Sequence, residues 1–352
     1  MADKPSLFGL FAGEIAAAVA ACGLEKYRGR QIAEWMYQRH ARDFTAMTNL
    51  PQAKRARLAE EFSLIPATLK AEQHSPNGQT SKFLLAFRDG LAVETVLMRH
   101  SYGNSVCVST QVGCAMGCAF CASTINGVER SLTAGEILAQ VLYVAEILAA
   151  GGARISSVVI MGSGEPLANY DHVVRFIRLC HEPYCLNLSY RSFTLSTAGI
   201  VPGIDRLAAE ELPVTLAISL HAPNDALRSR LMPVNQKYPL EEVLAAGDRY
   251  AAKTGRRVTY EYTLIAGVND QPGQAGELAA LLRGRLANVN LIPVNPVPER
   301  GLNRPDPARI DAFLRGLQDG GINATVRREM GTQIRAACGQ LRHAVLQTKE
   351  GC

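Results

Sequence analysis

From about residue 104 onward, short apolar runs rich in β-branched residues alternate with amphipathic helical segments. The runs predict six strands, whose sequences are SVCVST, ISSVVIM, SFTLST, VTLAISL, RVTYEYTLI and NVNLIPV. The helical segments cover residues 133–149, 169–182, 202–211, 239–254 and 271–286, and one more helix follows at 306–319. Strands that alternate with helices form a parallel sheet. The pattern therefore predicts an α/β fold, either an open doubly wound sheet or an incomplete β/α barrel.

The first hundred residues have a different pattern. Residues 1–75 are predicted to be helical, and the clearest helices are YRGRQIAEWMY (27–37) and NLPQAKRARLAEEF (49–62). A polar loop at 74–81 precedes the two strands of KFLLAFRDGLAVETVLM, which flank an Asp89-Gly90 turn. Asp-Gly between alternating apolar runs is a strong hairpin signal. We therefore predict a small helical N-terminal domain that carries a β-hairpin.

The chain divides on this pattern into three parts. The accessory N-terminal domain covers 1–98, the β/α core covers 99–320, and a C-terminal segment covers 321–352. The last part contains a short predicted strand in NATVRRE and a polar stretch with Cys338. A chain of 352 residues is long enough for one large α/β domain and a smaller appendage.

Charge is concentrated in the N-terminal domain. Between Glu25 and Arg57 there are eight basic and three acidic residues, and this excess of five equals the net charge of the whole chain, +5. A basic segment suits a polyanion such as nucleic acid. A solvated helix face is the alternative that charge alone leaves open.

Nine cysteines are distributed along a chain that has no stretch apolar enough to cross a membrane. The Ala-rich run at 15–22 is too short for a signal peptide core. We therefore expect a cytoplasmic protein, in which thiols stay reduced. Cysteines in that compartment indicate metal binding or catalysis before structural disulfides.

Three of the cysteines, Cys114, Cys118 and Cys121, form a CxxxCxxC motif directly after the first predicted core strand. Three thiolates can hold three irons of a [4Fe–4S] cluster and leave the fourth iron open. The open iron can bind S-adenosylmethionine (SAM), which an electron then cleaves to a 5′-deoxyadenosyl radical. Zinc fits less well, because it prefers four ligands and no second cysteine pair is nearby. The motif predicts a radical SAM enzyme.

Several predicted strands end in polar sequence that contains Gly or Pro, namely GSGEP (162–166), STAG (196–199), SLHAP (219–223) and PVNP (293–296). In parallel β/α folds this end of the sheet carries the active site. We expect the first segment to meet the amino end of SAM and the others to meet its carboxylate, ribose and adenine. The predicted SAM-binding residues are Gly164, Glu165, Ser196, Ser219, Leu220, His221 and Asn295.

Together with the cysteine motif, several segments resemble the RlmN family of dual-specificity RNA methyltransferases. They are AVETVLM, CVSTQVGCAMGCAFCAST, IMGSGEPLANYD, STAGIVP, AISLHAPND, YEYTLIAGVND, NLIPVNPV and REMGTQIRAACGQLR. The resemblance runs from about Tyr27 nearly to the C-terminus. It implies a partial (β/α)6 TIM-type barrel of the radical SAM class. The motif CGQL near the C-terminus is specific to RlmN and its paralogue Cfr.

The resemblance implies a function and three further site residues. RlmN enzymes methylate carbon 2 of an adenine in the peptidyl transferase centre of 23S rRNA, and many also modify an adenine next to the tRNA anticodon. By position, Cys338 matches the cysteine that is methylated, Cys107 the second reactive cysteine, and Glu94 the proton acceptor. From the residues alone, Cys107 could equally be a small core residue and Glu94 a surface carboxylate.

The implied cofactors are a [4Fe–4S] cluster and two molecules of SAM per turnover. The implied partners are 23S rRNA, tRNA and an electron donor such as flavodoxin or ferredoxin, and nothing demands more than a monomer. During turnover a disulfide between Cys107 and Cys338 is implied.

Three other functions remain open at this point. A Cfr-type enzyme would methylate carbon 8 of the same adenine, although Pro166 and the long N-terminal region look more like RlmN. The chain could be a non-enzymatic RNA-binding protein whose cysteines hold a structural metal. A radical SAM enzyme that acts on a small molecule is the third, and the basic N-terminal segment argues against it.

Overall fold

The computed structural model describes residues 4–64, 67–295 and 300–327. The strands in these residues are β1 (Thr68–His74), β2 (Thr80–Ala86), β3 (Ala92–His100), β4 (Gly103–Cys107), β5 (Gln111–Gly113), β6 (Val128–Ser131), β7 (Ile155–Ile160), β8 (Phe193–Thr197), β9 (Thr215–Ser219), β10 (Val258–Leu264), β11 (Ala287–Pro293) and β12 (Ala324–Val326). The helices are α1 (Ala12–Val19), α2 (Arg28–Tyr37), α3 (Gln52–Glu61), α4 (Ala134–Ala150), α5 (Tyr170–His181), α6 (Val201–Ala209), α7 (Asp225–Leu231), α8 (Leu240–Thr254), α9 (Pro272–Leu282) and α10 (Pro307–Asp319).

Ten of the strands form one sheet in the order β1-β2-β3-β4-β7-β8-β9-β10-β11-β12. The six strands predicted for the core are β4 and β7 to β11, and they pair in parallel. Each successive core strand is added on the same side of the one before it. A doubly wound sheet would reverse direction once, so this order is that of an incomplete β/α barrel. The predicted barrel class is confirmed.

Each core strand turns alternate residues toward the helices and toward the barrel interior. In β8, Phe193 and Leu195 are fully buried, and Phe193 packs edge-on against Phe176 of α5 with ring centroids 6.1 Å apart. Thr194 and Ser196 lie between them on the other face and are only partly buried. The helix-facing layer is therefore apolar, whereas the interior face is polar at the strand ends.

The predicted hairpin is confirmed as β2 and β3, and it extends the barrel sheet rather than standing apart from it. Strand β3 pairs antiparallel with β2 on one side and with β4 on the other. The hydrophobic core is also continuous, since Ile32 of α2 and Val158 of β7 belong to one buried cluster. The sheet thus continues across residue 98, where the sequence analysis places a domain boundary. That boundary stays a prediction.

Strand β1 corrects the prediction that residues 1–75 are helical. Its sequence, TLKAEQH, is made mostly of residues with good helix propensity. It nevertheless pairs antiparallel with β2, with an irregularity between Leu69 and Ala71, and most of its side chains are exposed. An edge strand has no apolar face to bury, so its sequence carries no period-2 signal, and pairing overrides propensity.

The three N-terminal helices are present as predicted in outline, and the amphipathic core helices fall within a few residues of their predicted limits. Two elements had no counterpart in the sequence analysis. These are the small ribbon of β5 and β6 and the short helix α7. Among the described residues, no helix combines the length and the apolar character needed to cross a membrane.

Candidate active site

The cysteine motif lies in a loop closed at its base by the β5–β6 ribbon. The backbone N–H of Cys114 donates to the carbonyl oxygen of Gly127 at 2.9 Å. Gly113, with φ of 80°, must be glycine, because a Cβ there would lie 2.0 Å from that same oxygen. The ribbon thus sets the position of the first cysteine directly above the end of β4.

The far side of the loop is anchored to other elements. The N–H of Ala119 donates to the carbonyl oxygen of Leu231 at the end of α7, at 2.9 Å. The hydroxyl of Thr124 donates to the Cys121 carbonyl at 3.0 Å and accepts from the guanidinium of Arg300 at 2.8 Å. These contacts hold the last two cysteines against the barrel end.

The three cysteines supply the donor chemistry of a cluster that is held by three thiolates. None of the three is in a disulfide with another described cysteine; Cys114 and Cys118 are buried, and Cys121 is partly exposed. Burial raises the pKa of the Cys114 thiol to about 11, and that of Cys118 is raised further, with a contribution from the other two thiols. Iron supplies the positive charge that such thiolates need. Over residues 4–64, 67–295 and 300–327, no three His, Cys, Asp or Glu side chains are arranged to hold a metal ion.

Glu165 joins the ends of β7 and β8. One carboxylate oxygen accepts from the N–H of Leu167 at 2.9 Å and from the hydroxyl of Thr197 at 2.8 Å. The other oxygen accepts from the N–H of Ala198 at 2.7 Å. Burial raises the pKa of this carboxyl. Glu165 therefore braces two strand ends, which leaves limited capacity for the predicted contact with the amino group of SAM.

Its neighbour Gly164 is held close to the cysteine loop. With φ of 105°, its backbone occupies a region that favours glycine, and a Cβ would lie 2.7 Å from the backbone nitrogen of Gln111 in β5. The amide oxygen of Gln111 in turn accepts from the N–H of Glu165 at 2.9 Å. The structure thus places the GSGEP segment against the ribbon that closes the cysteine loop.

Arg228, on α7, is a functional candidate that the sequence analysis missed. It is fully buried, and its guanidinium donates to the carbonyl oxygens of Ala198, Ser219 and Leu220 at 2.7, 3.2 and 3.3 Å. It also donates to the side-chain oxygen of Asn235 at 2.7 Å. Burial lowers the pKa of this guanidinium to about 10, opposed in part by the charge of the Cys118 thiol. One cation therefore joins the ends of β8 and β9 beside the cysteine loop.

His221 has a strained backbone and a neutral ring. Its φ is 59°, which is rare for a residue other than glycine. Its Nδ1 accepts from the N–H of Thr263 at 2.9 Å, and its carbonyl oxygen accepts from the amide of Asn269 at 2.8 Å. Burial and the nearby Arg228 lower the pKa of the imidazole to about 3. The ring of Phe120, from the cysteine loop, packs edge-on against it with centroids 4.7 Å apart.

The backbone N–H groups of Leu220 and His221 are already used within the fold. They donate to the carbonyl oxygen of Glu261 at 2.9 and 3.2 Å. Any contact of this segment with SAM would therefore involve the Ser219 and His221 side chains rather than these two N–H groups. This narrows the prediction made from the sequence for residues 219–221.

The interior face also contains a buried carboxylate that the sequence analysis did not identify. Glu261 lies opposite Ser219 in the register of β9 and β10. Its oxygens accept from the Ser196 hydroxyl and the Asn290 amide, each at 3.4 Å. Ser196 thus lies on the same face of the sheet as Glu261, and its contact with SAM stays a prediction. Asn295 is exposed just beyond β11.

Glu94 and Cys107 lie on one face of the sheet, next to a second residue that the sequence analysis missed. Lys82 and Cys107 are both directly opposite Val96 in the register of β2, β3 and β4. Glu94 is two residues from Val96 and so shares its face. The ammonium of Lys82 lies 3.2 Å from a carboxylate oxygen of Glu94. In the sequence, the only sign of this buried cation is that Lys82 begins the apolar run KFLLAF.

The opposite face of β3 packs against α4. There the hydroxyl of Thr95 donates to the side-chain oxygen of Gln140 at 3.0 Å. Glu94 and Cys107 therefore face the barrel interior, below the cysteine loop. Cys338, the third residue predicted for catalysis, lies outside the described residues.

Two family models match the chain. The radical SAM superfamily model matches residues 108–278, and membership of that superfamily implies a [4Fe–4S] cluster and SAM. The model of the ribosomal RNA large subunit methyltransferase N-terminal domain matches residues 6–64. These two segments correspond to the barrel and to the basic helices.

Two relatives match this chain over almost its whole length. A protein of Symbiobacterium thermophilum is 56% identical over 341 residues, which are 97% of this chain and 92% of the relative. A protein of Geobacillus kaustophilus is 50% identical over 338 residues, 96% of this chain and 92% of the relative. Both are named "Probable dual-specificity RNA methyltransferase RlmN".

A solved structure matches over almost the whole length. The crystal structure of a radical SAM methyltransferase from Sphaerobacter thermophilus superposes with a TM-score of 0.93 and 49% sequence identity. The match covers 96% of this chain and 98% of that one. Both the fold and the sequence of the barrel are therefore shared with a methyltransferase.

Proposed function

Because the chain belongs to the RlmN family of dual-specificity RNA methyltransferases, we propose that it methylates carbon 2 of an adenine in 23S rRNA. The target is the adenine of the peptidyl transferase centre, and an adenine beside the anticodon of tRNA is a second target. The observation that carries this proposal is the register that puts Glu94 and Cys107 on the interior face, below the three-cysteine loop.

Carbon 2 of adenine is electron-poor, so direct attack on the methyl group of SAM has no driving force. One SAM instead methylates the thiolate of Cys338, and a second SAM is the radical source. Cys114, Cys118 and Cys121 would hold the cluster, which would supply the electron that cleaves this SAM and accept the electron that the RNA adduct later loses. The 5′-deoxyadenosyl radical takes a hydrogen atom from the S-methyl group of Cys338 and becomes 5′-deoxyadenosine, and the methylene radical left on Cys338 adds to carbon 2.

Two residues complete the reaction. Glu94 takes the proton from carbon 2, so that the electron pair of the broken bond stays in the ring. The Cys107 thiolate then attacks the sulfur of Cys338 and forms a disulfide. The electron pair of the broken carbon–sulfur bond goes to the methylene carbon, which takes up a proton to become the methyl group. A thiol or dithiol reductant must reduce the disulfide before the next cycle.

The N-terminal helices provide the RNA-binding surface in this proposal. Tyr27 is 57% exposed, and the guanidinium of Arg28 lies over its ring at 4.7 Å. Arg39 lies over the ring of Trp35 at 4.4 Å. Exposed cations bind phosphates, and exposed rings stack on unpaired bases. The target adenine is turned out of its RNA fold to reach the barrel.

The reaction also needs a partner protein that supplies electrons. A flavodoxin or a ferredoxin donates the electron, and the enzyme acts as a monomer. In this proposal the Cys107–Cys338 disulfide forms only during turnover and is reduced again before the next cycle.

The substitution Cys338→Ala with labelled SAM tests the covalent mechanism. The reconstituted wild-type enzyme transfers label to the protein and then to carbon 2 of the RNA adenine. Cys338→Ala transfers none to either, whereas Cys22→Ala, a buried cysteine distant from the site in the chain, behaves as wild type. Label in the RNA from Cys338→Ala would refute the methylcysteine route.

A further inference from the structure

A lysine and a glutamate form an ion pair inside the hairpin that extends the barrel sheet. Lys82 is fully buried and Glu94 is 6% exposed, with 3.2 Å between the ammonium and the nearer carboxylate oxygen. Lys82 lies in the middle of β2, all seven residues of which are buried. The pair is therefore removed from water on both sides.

Such a pair is poorly explained by stability alone. Removing each charge from water costs several kcal/mol, and replacing a buried ion pair by apolar residues is often neutral or stabilising. Leucine or methionine at both positions would complete the apolar packing of β2 and β3. A reason for the charges must therefore be sought in what the pair faces.

The pair faces the reactive cysteine and not the helices. Lys82, Val96 and Cys107 form one row across three adjacent strands. Residues directly opposite in antiparallel strands share a face, and Glu94 joins the same face one pleat further along β3. The carbonyl oxygen of Glu94 accepts from the Ser109 hydroxyl at 2.8 Å, which ties this end of β3 to the segment leading into the cysteine loop.

We propose that Lys82 is a positioning residue that holds Glu94 as a fixed, charged carboxylate for removal of the proton from carbon 2. This role rests on the proposed function, in which Glu94 is the base. The bond between carbon 2 and hydrogen breaks, the proton goes to a Glu94 oxygen, and Lys82 keeps all its protons. The ammonium pairs with one carboxylate oxygen and so fixes the direction in which the second oxygen points.

The test compares the wild type with four variants, all reconstituted with the cluster under anaerobic conditions, on a 23S rRNA fragment that contains the peptidyl transferase centre. They are Lys82→Met, Lys82→Arg, Glu94→Gln and the double variant Lys82→Met/Glu94→Gln. Three products are measured with each: 5′-deoxyadenosine from SAM, methylated RNA, and RNA that stays covalently bound to the protein on a denaturing gel.

Losing a general base costs on the order of 100-fold or more in rate. Lys82→Met is therefore expected to lose about 100-fold in RNA methylation, while 5′-deoxyadenosine formation stays within about threefold and the covalent RNA adduct accumulates. Lys82→Arg keeps at least about a tenth of the activity, because it keeps the charge. The double variant is no worse than Glu94→Gln, because both changes disable the same step.

Two results would overturn the role of Lys82. The first is methylation by Lys82→Met within about threefold of wild type, and the second is a double variant whose loss is the product of the two single losses. If Lys82→Met does not fold, the role of Lys82 is judged from the methylation rates of Lys82→Met/Glu94→Gln and Lys82→Arg. Neither of these variants removes one charge of the pair while leaving the other in place. A wild type that cleaves SAM but methylates no RNA would instead refute the proposed function.

Discussion

Two regions of the barrel stabilise buried charges in different ways. One is the strand-end platform, made of Glu165, Thr197, Ala198, Ser219, Leu220 and Arg228. The hydrogen bonds described for its two charged groups all go to neutral N–H, hydroxyl, amide or carbonyl groups. In the hairpin pair, Lys82 and Glu94, each charge faces the opposite charge at 3.2 Å.

The difference indicates two uses of a buried charge. Neutral partners on several segments spread the charge over the fold, so Glu165 and Arg228 act as braces for the ends of β7, β8 and β9. In the hairpin pair one carboxylate oxygen of Glu94 faces the ammonium of Lys82, which suits the proton transfer proposed for Glu94. Removing either platform charge alone should therefore lower the free energy of unfolding. In the hairpin pair, the effect of removing one charge should depend on whether the other is present.

The largest expected effect is that of Arg228→Met. It leaves three strand-end carbonyls without their donor, and each buried acceptor left without a partner costs about 1–3 kcal/mol in the free energy of unfolding. Arg249→Met is the matched control, since Arg249 pairs with Asp205 on the surface at 2.8 Å and is half-exposed. That control loses at most about 1 kcal/mol. Urea denaturation of the metal-free protein measures both, and equal losses would remove the basis for calling Arg228 a brace.

Removing one charge of the hairpin pair should cost more stability than removing both. Lys82→Met leaves a buried carboxylate without its cation and is expected to cost about 3 kcal/mol. Lys82→Met/Glu94→Met restores an apolar strand face and is expected to recover most of that loss. The same denaturation experiment gives the coupling free energy. Independent, additive losses would show that the two charges do not act as a pair.

Glu165→Gln should have an intermediate effect. The amide oxygen can still accept from Leu167 and Thr197, but its NH2 group would face the N–H of Ala198. One buried donor then loses its acceptor, which costs about 1–3 kcal/mol. The free energy of unfolding is measured by thermal or urea denaturation. A loss below about 0.5 kcal/mol would mean that the hydrogen bond from Ala198 does not contribute to the brace.

The smallest expected effect concerns Glu261, whose partners are both 3.4 Å away. Burial raises the pKa of this carboxyl above its usual value of 4.5, with Arg327 opposing the rise. The folded protein then binds a proton that the unfolded chain has lost, so its stability falls as pH rises from about 4.5 through the folded pKa. Glu261→Gln removes that fall. Relative to wild type it gains stability between pH 4.5 and 7.5, and a constant difference over this range would contradict the assignment.

Much of the barrel could be predicted from the sequence because its layers differ in polarity. Strand β9 has an apolar run at its centre, and a helix such as α5 buries one apolar face. Strand β1 could not be predicted, since it is an edge strand whose side chains are mostly exposed and carry no period-2 pattern. Short α7 was missed because seven residues carry too little periodicity.

The site was predictable only where spacing in the chain encodes chemistry. Cys114, Cys118 and Cys121 fall within eight residues, so their joint role is visible in one line of sequence. Arg228 and Lys82 act through residues that are distant in the chain, and a sequence cannot distinguish either one from an exposed cation. Their burial and their partners are properties of the sheet register.

The most direct measurement is nucleoside mass spectrometry of 23S rRNA from cells with and without this chain. The account predicts that 2-methyladenosine is present in the parent and absent in the deletion strain, and returns with the wild-type gene but not with Cys118→Ala. Persistence of 2-methyladenosine in the deletion strain, or loss of 8-methyladenosine in its place, would contradict the claim that this enzyme methylates carbon 2.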